Sequence, residues 1–142
     1  MGTNDKLSKD EGGEDVDERL YRGMIGSLLY LTASHPDICL SVGIYARYQA
    51  KPKMSHLLAL KKIIKYIKGT VNFGIFYTKD TNTNLSGYCN GDWAGSIDDR
   101  RSTSGGCFFM GNNLISWHSK KQNIVSLSTA EAELGSCCTQ LL

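Results

Sequence analysis

Gly87-Tyr88-Cys89-Asn90-Gly91-Asp92-Trp93-Ala94-Gly95 is the stretch around which the rest of the sequence organises itself. The period-2 run Leu85-Ser86-Gly87-Tyr88-Cys89 leads into a polar, glycine-punctuated corner carrying acids, the pattern of a strand that ends in a turn. Downstream, Thr103 to Met110 and Leu114 to His118 read as two strands of a hairpin turned at Gly111-Asn112-Asn113. Ile124-Val125-Ser126-Leu127 reads as a further short strand. Ser128 or Thr129 then caps a last helix, with Glu131 at or near the capping-box position. A strand ending in acids and a helix presenting acids in its first turns can gather carboxylates around divalent cations. Two metals so held stabilise both the attacking and the leaving oxygen in phosphodiester cleavage. Taken singly, each acid has a plainer use. Asp98 and Asp99 read as turn residues, Glu131 as a cap and Asp92 as a turn or surface acid, while Trp93 and Trp117 read as core anchors.

Towards the N-terminus the apolar period lengthens to that of a helix. Tyr21, Met24, Ile25, Leu28, Leu29 and Thr32 predict an amphipathic helix over about 20–33. Ser34-His35-Pro36-Asp37 reads as a second helix start, with Ser34 as cap, running to about Tyr48 with Ile38, Val42 and Tyr45 on one face. A third helix follows Pro52 and ends at Gly69. It is expected to bury Leu57, Leu60, Ile64 and Ile67, and its other face displays Lys61, Lys62, Lys65 and Lys68. Phe73 to Tyr77 then reads as a short strand. Residues 1–19 are polar and nearly without apolar anchors, so they are expected to form a disordered acidic leader. The organisation expected is therefore a leader over 1–19, a helical segment over 20–70 and an α/β segment over 71–142.

Hydrophobic residues make up 41% and charged residues 21% of the 142, ordinary globular usage that argues against global disorder. No apolar run approaches the ~18–20 residues of a membrane span, and the acidic start lacks the basic and apolar regions of a signal peptide. On that ground an intracellular location is expected. The five cysteines form no CxxC pair and none of the three His stands at metal-ligand spacing from them, so scattered reduced thiols are expected, without zinc. No Gly-x-Ser-x-Gly elbow of a serine hydrolase is present. The net charge of +2 conceals an asymmetry: seven acids face three bases over 1–19, whereas nine bases face one acid over 20–79. A middle segment this basic can track a phosphate backbone, or simply be a solvated helix face.

Together these motifs resemble the copia-type (Ty1/copia) retrotransposon polyproteins. Tyr21 to Leu31 resembles that family's segment at the end of the reverse transcriptase. His35-Pro36-Asp37-Ile38 and Lys65-Tyr66-Ile67-Lys68-Gly69-Thr70 are similar to its next two landmarks, and Gly87 to Glu133 resembles the start of its ribonuclease H domain. The resemblance implies a helical N-terminal half followed by an incomplete ribonuclease-H-like α/β (α+β) unit, a mixed sheet with a C-terminal helix. Such domains use four carboxylates around two magnesium ions. The first falls here on Asn90, a neutral amide, with Asp92 a second acid of the local motif. The helical acid corresponds to Glu133, although Ser136 stands where a small Ala is usual, and the other two would lie beyond Leu142. An amide brings no charge to a hard-cation site, so the resemblance implies no catalysis and no cofactor. The partner it leaves is nucleic acid, bound weakly and non-specifically through Lys61, Lys62, Lys65 and Lys68.

A second resemblance is to the secreted RxLR-type effectors of oomycete plant pathogens. Glu14-Asp15-Val16-Asp17-Glu18-Arg19 resembles their acidic run, and Arg19-Leu20-Tyr21-Arg22 is a scrambled form of their first motif. That reading implies secretion, translocation into the host cell, host plant proteins as partners and interference with defence.

Overall fold

The computed structural model describes residues 7–79 and 81–138, a mixed α/β chain. It divides into a helical unit, Lys9–Ile75, and a second unit built from Phe76 onward.

In the helical unit, α1 (Glu18–Leu31) starts at Asp17, whose carboxylate accepts the Arg19 N–H at 2.8 Å. Tyr21, Ile25 and Leu28 form its inner stripe. α2 (Pro36–Tyr45) opens on Pro36, which has no N–H to lose in a first turn, and buries Ile38, Val42 and Tyr45 as expected. Ser34 is not its cap. The Ser34 hydroxyl turns back to the Leu31 carbonyl (3.2 Å), ending α1, and His35 takes the cap position without a side-chain cap bond. A 3₁₀ turn, Ala46–Tyr48, leads towards α3 (Met54–Gly69). Tyr21 Oη donates to the Tyr45 carbonyl at 2.9 Å, and burial, ahead of the neighbouring Tyr45 and Tyr48, pushes its phenol far above the usual range.

α3 is rotated from the expected face. Its buried residues include His56, Leu57, Leu60 and Ile63, while Ile64 is 42% exposed and Ile67 only half-buried. The cause is His56. Its ring stacks on Tyr48 (centroids 4.2 Å apart, planes at 16°) and its Nδ1 accepts the Lys53 N–H at 3.0 Å. The stripe it begins runs 56, 60, 63, 67, which turns Ile64 towards water.

Residues 9–17, assigned by composition to an unanchored leader, find polar anchors instead. Asp15 and Lys53 form an isolated β-bridge, the Met54 N–H donates to the Glu14 carbonyl (2.9 Å) and the Val16 N–H to the Pro52 carbonyl (3.2 Å). The Lys53 ammonium, itself buried, donates to Asp15 Oδ1 (2.7 Å) and the Gly13 carbonyl (2.9 Å). Residues 1–6 lie outside the described residues.

In the second unit, β1 (Leu85–Gly91), β2 (Thr103–Met110) and β3 (Asn113–Lys121) form an antiparallel sheet in the order β1-β2-β3. The mixed sheet expected from the resemblance is therefore corrected, among the described residues, to a purely antiparallel one. Both connections are too short for the crossover of a dozen or more residues that parallel pairing needs. Gly111 turns the β2–β3 hairpin with φ +59°, where only glycine sits without strain. The expected strand over 73–77 is irregular backbone instead, and just beyond it Asn113 of β3 holds Thr78. Its Oδ1 accepts the Thr78 N–H at 2.8 Å and its Nδ2 donates to the Thr78 carbonyl at 2.9 Å. The expected strand over 124–127 is also irregular loop, its Ser126 carbonyl taken by the Trp93 indole N–H (3.1 Å).

α4 (Thr129–Cys138) covers one face of the sheet. Ser128 caps it, its Oγ accepting the Glu131 N–H at 3.2 Å while the Glu131 carboxylate accepts the Leu127 N–H at 2.7 Å, close to the capping box expected. Helix and strand meet at Gly91, where a Cβ would stand 2.6 Å from Ser136 Oγ and 2.8 Å from the Ala132 carbonyl. Among the described residues no helix is long and apolar enough to cross a membrane.

Candidate functional site

Strand alternation decides where Asn90 and its neighbours on β1 point. Gly91 faces Ala132 and Ser136 of α4, and Cys89, two residues back, is bridged to Cys137 of the same helix. Asn90 lies between them in unbroken register with Gly105, so its side chain projects from the opposite face. Glu133 is carried by α4 and is exposed. Asn90 therefore leaves β1 on one face of the sheet, and α4, which carries Glu133, packs on the other. Among the described residues no three His, Cys, Asp or Glu side chains converge closely enough to hold a metal ion.

The other acids of the region have structural partners. Asp92 clamps the corner after β1, its N–H donating to the Thr103 carbonyl at 3.1 Å and its carboxylate accepting the Thr103 N–H. Asp99 holds the 97–99 turn as expected. Burial raises its pKa, but hydrogen bonds from Lys121 (2.6 Å), Ser96 and the Arg101 N–H outweigh it, and the carboxyl is held down at about 2. Trp93, expected as a core anchor, is 52% exposed and serves as a tether to the 122–128 loop. Trp117 is half-buried on β3.

Lys61, Lys62, Lys65 and Lys68 are all exposed, on the side of α3 opposite its buried stripe. Lys61, Lys65 and Lys68 follow one another at four- and three-residue steps, the spacing of a single helix ridge. Lys68, in the last turn, also complements the helix dipole. The acidic run is spent on the fold: Asp15 pairs with Lys53, Asp17 caps α1, and Glu18 pairs with Arg22 at 2.9 Å. Glu14 contributes its carbonyl, and Arg19 its N–H to the cap.

Three features were not legible in the sequence. One is a buried polar network beneath α4, where Gln122 Nε2 donates to the Ala132 carbonyl (2.7 Å) and Ser104 Oγ (3.0 Å), and Ser126 donates to Gln122 Oε1 (3.1 Å). The second is the Cys89–Cys137 disulfide (Cα–Cα 5.8 Å), which corrects the expectation that the thiols are all reduced; Cys39 and Cys107 are not bridged. No spacing motif announces either, although a strand glycine such as Gly91 signals close approach. The third is a cavity of about 370 Å³ in the helical unit.

Against curated proteins, the chain is 43% identical over 133 residues to the retrovirus-related Pol polyprotein from transposon RE1 of Arabidopsis thaliana, covering 94% of this chain. It is 37% identical over 135 residues to the corresponding polyprotein from transposon TNT 1-94 of Nicotiana tabacum. The chain belongs to the copia-type retrotransposon polyprotein family. It spans only 9% of the length of the RE1 polyprotein and 10% of that from TNT 1-94. Secreted RxLR effector protein 161 of Plasmopara viticola is also related to this copia-type sequence, 37% identical over 114 residues that make up 80% of each chain. No family model matches the chain, and no solved structure does.

Proposed function

We propose that this chain is a ribonuclease-H-like segment of a copia-type polyprotein that does not itself cut nucleic acid and holds it weakly through α3. The observation that carries the reading is the placement of Asn90. The position that should supply the first metal ligand is an uncharged amide, and it projects from the sheet face opposite the helix that bears Glu133. The order of β1, the hairpin and α4 supports the ribonuclease-H-like assignment.

The test is cleavage of the RNA strand of an RNA–DNA hybrid with Mg²⁺ or Mn²⁺. No cleavage above background is expected from the chain or from Asn90→Asp. Cleavage by the wild-type chain that Glu133→Gln abolishes overturns the reading. For binding, about four phosphate contacts give a log-log salt slope of roughly −3 to −4 on duplex DNA. Replacing Lys61, Lys62, Lys65 and Lys68 by Gln removes it; unchanged binding makes the basic face a solvated surface only.

The effector reading is favoured by one observation, the relative from Plasmopara viticola that matches along 80% of its own length. Against it stands the use of its motif-like residues: Tyr21 is fully buried in the helical core, and the acids around it cap and brace α1. Secretion and host-protein binding therefore remain the secondary reading, tested by whether the chain, produced inside plant cells, alters their defence response.

A further inference from the structure

We propose that β1 docks on a second copy of itself: two chains pair β1 with β1, antiparallel, and so make their three-stranded sheets continuous. The strand runs from Leu85 to Gly91 at one end of the order β1-β2-β3 and keeps register with β2 throughout. Edge strands are normally blunted by charge, proline, a bulge or shortness. None of these protects β1. No charged residue and no proline stands between Leu85 and Gly91, and Leu85 to Asn90 are all exposed. The opposite edge is guarded: β3 ends in Lys120 and Lys121, and Asn113 at its start holds Thr78.

Hydrogen-bond parity shows which groups of β1 face outward. The Gly111 N–H donates to the Asn84 carbonyl (2.8 Å) and the Asp92 N–H to the Thr103 carbonyl (3.1 Å), so the even positions of β1 spend their backbone on β2. Leu85, Gly87, Cys89 and Gly91 therefore direct their N–H and C=O away from it, and among the described residues no backbone group meets them there. Their arrangement about Tyr88 selects the occupant. A second β1 laid across a two-fold axis at Tyr88 sets Leu85 against Gly91 and Gly87 against Cys89, and satisfies every outward group of both strands.

The side chains suit that register. On the α4 face each larger residue meets a glycine, which leaves room beside the Cys89–Cys137 bridge and the Ala132–Ser136 turn of α4. On the other face Ser86 meets Asn90, two groups that can hydrogen-bond. Tyr88, packed on Phe109 yet 61% exposed, lies next to its own copy in the close, non-hydrogen-bonded pair. A two-fold contact sets a surface against itself, and an uncharged strand meets no like charge there. A strand of unrelated sequence would find the same backbone groups without these side-chain pairs. The seam is about 24 Å long and about 10 Å thick, small beside the interfaces of stable dimers, so the association is weak, with Kd on the order of 10–100 μM.

The test is sedimentation equilibrium of the full chain across that concentration range, where a monomer–dimer equilibrium is expected. Tyr88→Lys and Tyr88→Glu are each expected to weaken it at least about tenfold by placing like charges opposite one another. An equimolar mixture of the two variants is expected to dimerise at least as well as the wild type. Amide exchange of the wild-type chain gives a readout that needs no variant to fold. The Leu85, Gly87, Cys89 and Gly91 N–H groups are expected to exchange more slowly as concentration rises, while those of Ser86, Tyr88 and Asn90, already bonded to β2, do not change. A chain that stays monomeric overturns the proposal and leaves the edge to another partner. So does a dimer whose outward amides are not slowed, which uses another surface, or a mixture that associates no better than its separate components.

Discussion

Ser136 Oγ of α4 stands 2.8 Å from Ser104 Oγ of β2, and both side chains are buried. Gln122 closes the group from the end of β3, giving α4 a polar seat on a sheet whose edge strand is otherwise exposed. Such a network is stable only when every member is satisfied, and among the described residues no buried side-chain polar atom lacks a partner.

Gln122→Ala is expected to destabilise the sheet unit by about 1–3 kcal/mol, since it leaves the buried Ser126 hydroxyl without its acceptor and removes one of the donors to Ser104 and the Ala132 carbonyl. Ser136→Ala, which leaves Gln122 in place, is expected to cost about 1 kcal/mol. The double variant falls short of the sum, because both act on one network. Urea unfolding of the three variants checks this. Costs that add in full would show that the two residues act separately.

Ile63 and Ile64 are neighbours in sequence with opposite environments, 6% and 42% exposed. Ile63→Ala is expected to cost about 2–4 kcal/mol through lost burial and the cavity left behind, and Ile64→Ala under about 1 kcal/mol. Equal costs in denaturant unfolding would restore the helix face expected from the 57, 60, 64, 67 spacing.

Asp99 is expected to titrate near 2 rather than at the ordinary 3.8. Its folded pKa is depressed, so the stability it contributes is complete above 3.8 and is lost as pH falls through about 2. More than a third of the side chain meets water, so the contribution is small, and the sharper readout is the carboxyl's own titration by NMR. In Lys121→Gln the midpoint rises towards the usual range. A midpoint that stays low would assign the shift to Ser96 and the Arg101 N–H instead.

Reducing the Cys89–Cys137 bridge is expected to loosen α4 from β1. The two cysteines are 48 residues apart, for which chain entropy gives about 4 kcal/mol as an upper figure. Thermal unfolding with and without dithiothreitol measures the effect, and Cys89→Ser removes the difference between the two conditions. A wild-type midpoint indifferent to reductant would show that the bridge does not stabilise the fold.

The helices were legible because their apolar periods are long: Tyr21, Ile25, Leu28 and Ile38, Val42, Tyr45 are buried as their spacing requires. The hairpin was legible from Gly111 and the period-2 runs on either side. What escaped reading was set by partners distant in sequence. Ile124 to Leu127 has strand composition, but Trp93 takes a carbonyl from the segment, 33 residues away. Ile64 has core composition, but the Tyr48–His56 stack turned the helix. At the site, the substitution of an amide at Asn90 was plain in the sequence. That Asn90 and Glu133 lie on different sides of the sheet depends on which strand residues α4 covers, and only Gly91 hinted at that.

The Lys53 clasp also sets an order of events. Its partners Gly13 and Asp15 lie 40 and 38 residues earlier in the chain, so during synthesis they leave the ribosome well before the amine that will hold them. α1 and α2 can meet through Tyr21 and Tyr45 while the leader is still waiting, and the clasp closes only when α3 begins to emerge. The first part of the helical unit to be made is thus the last to be fastened. A protease cut between Asp15 and Asp17 would release it as a latch, leaving the tyrosine-centred core in place.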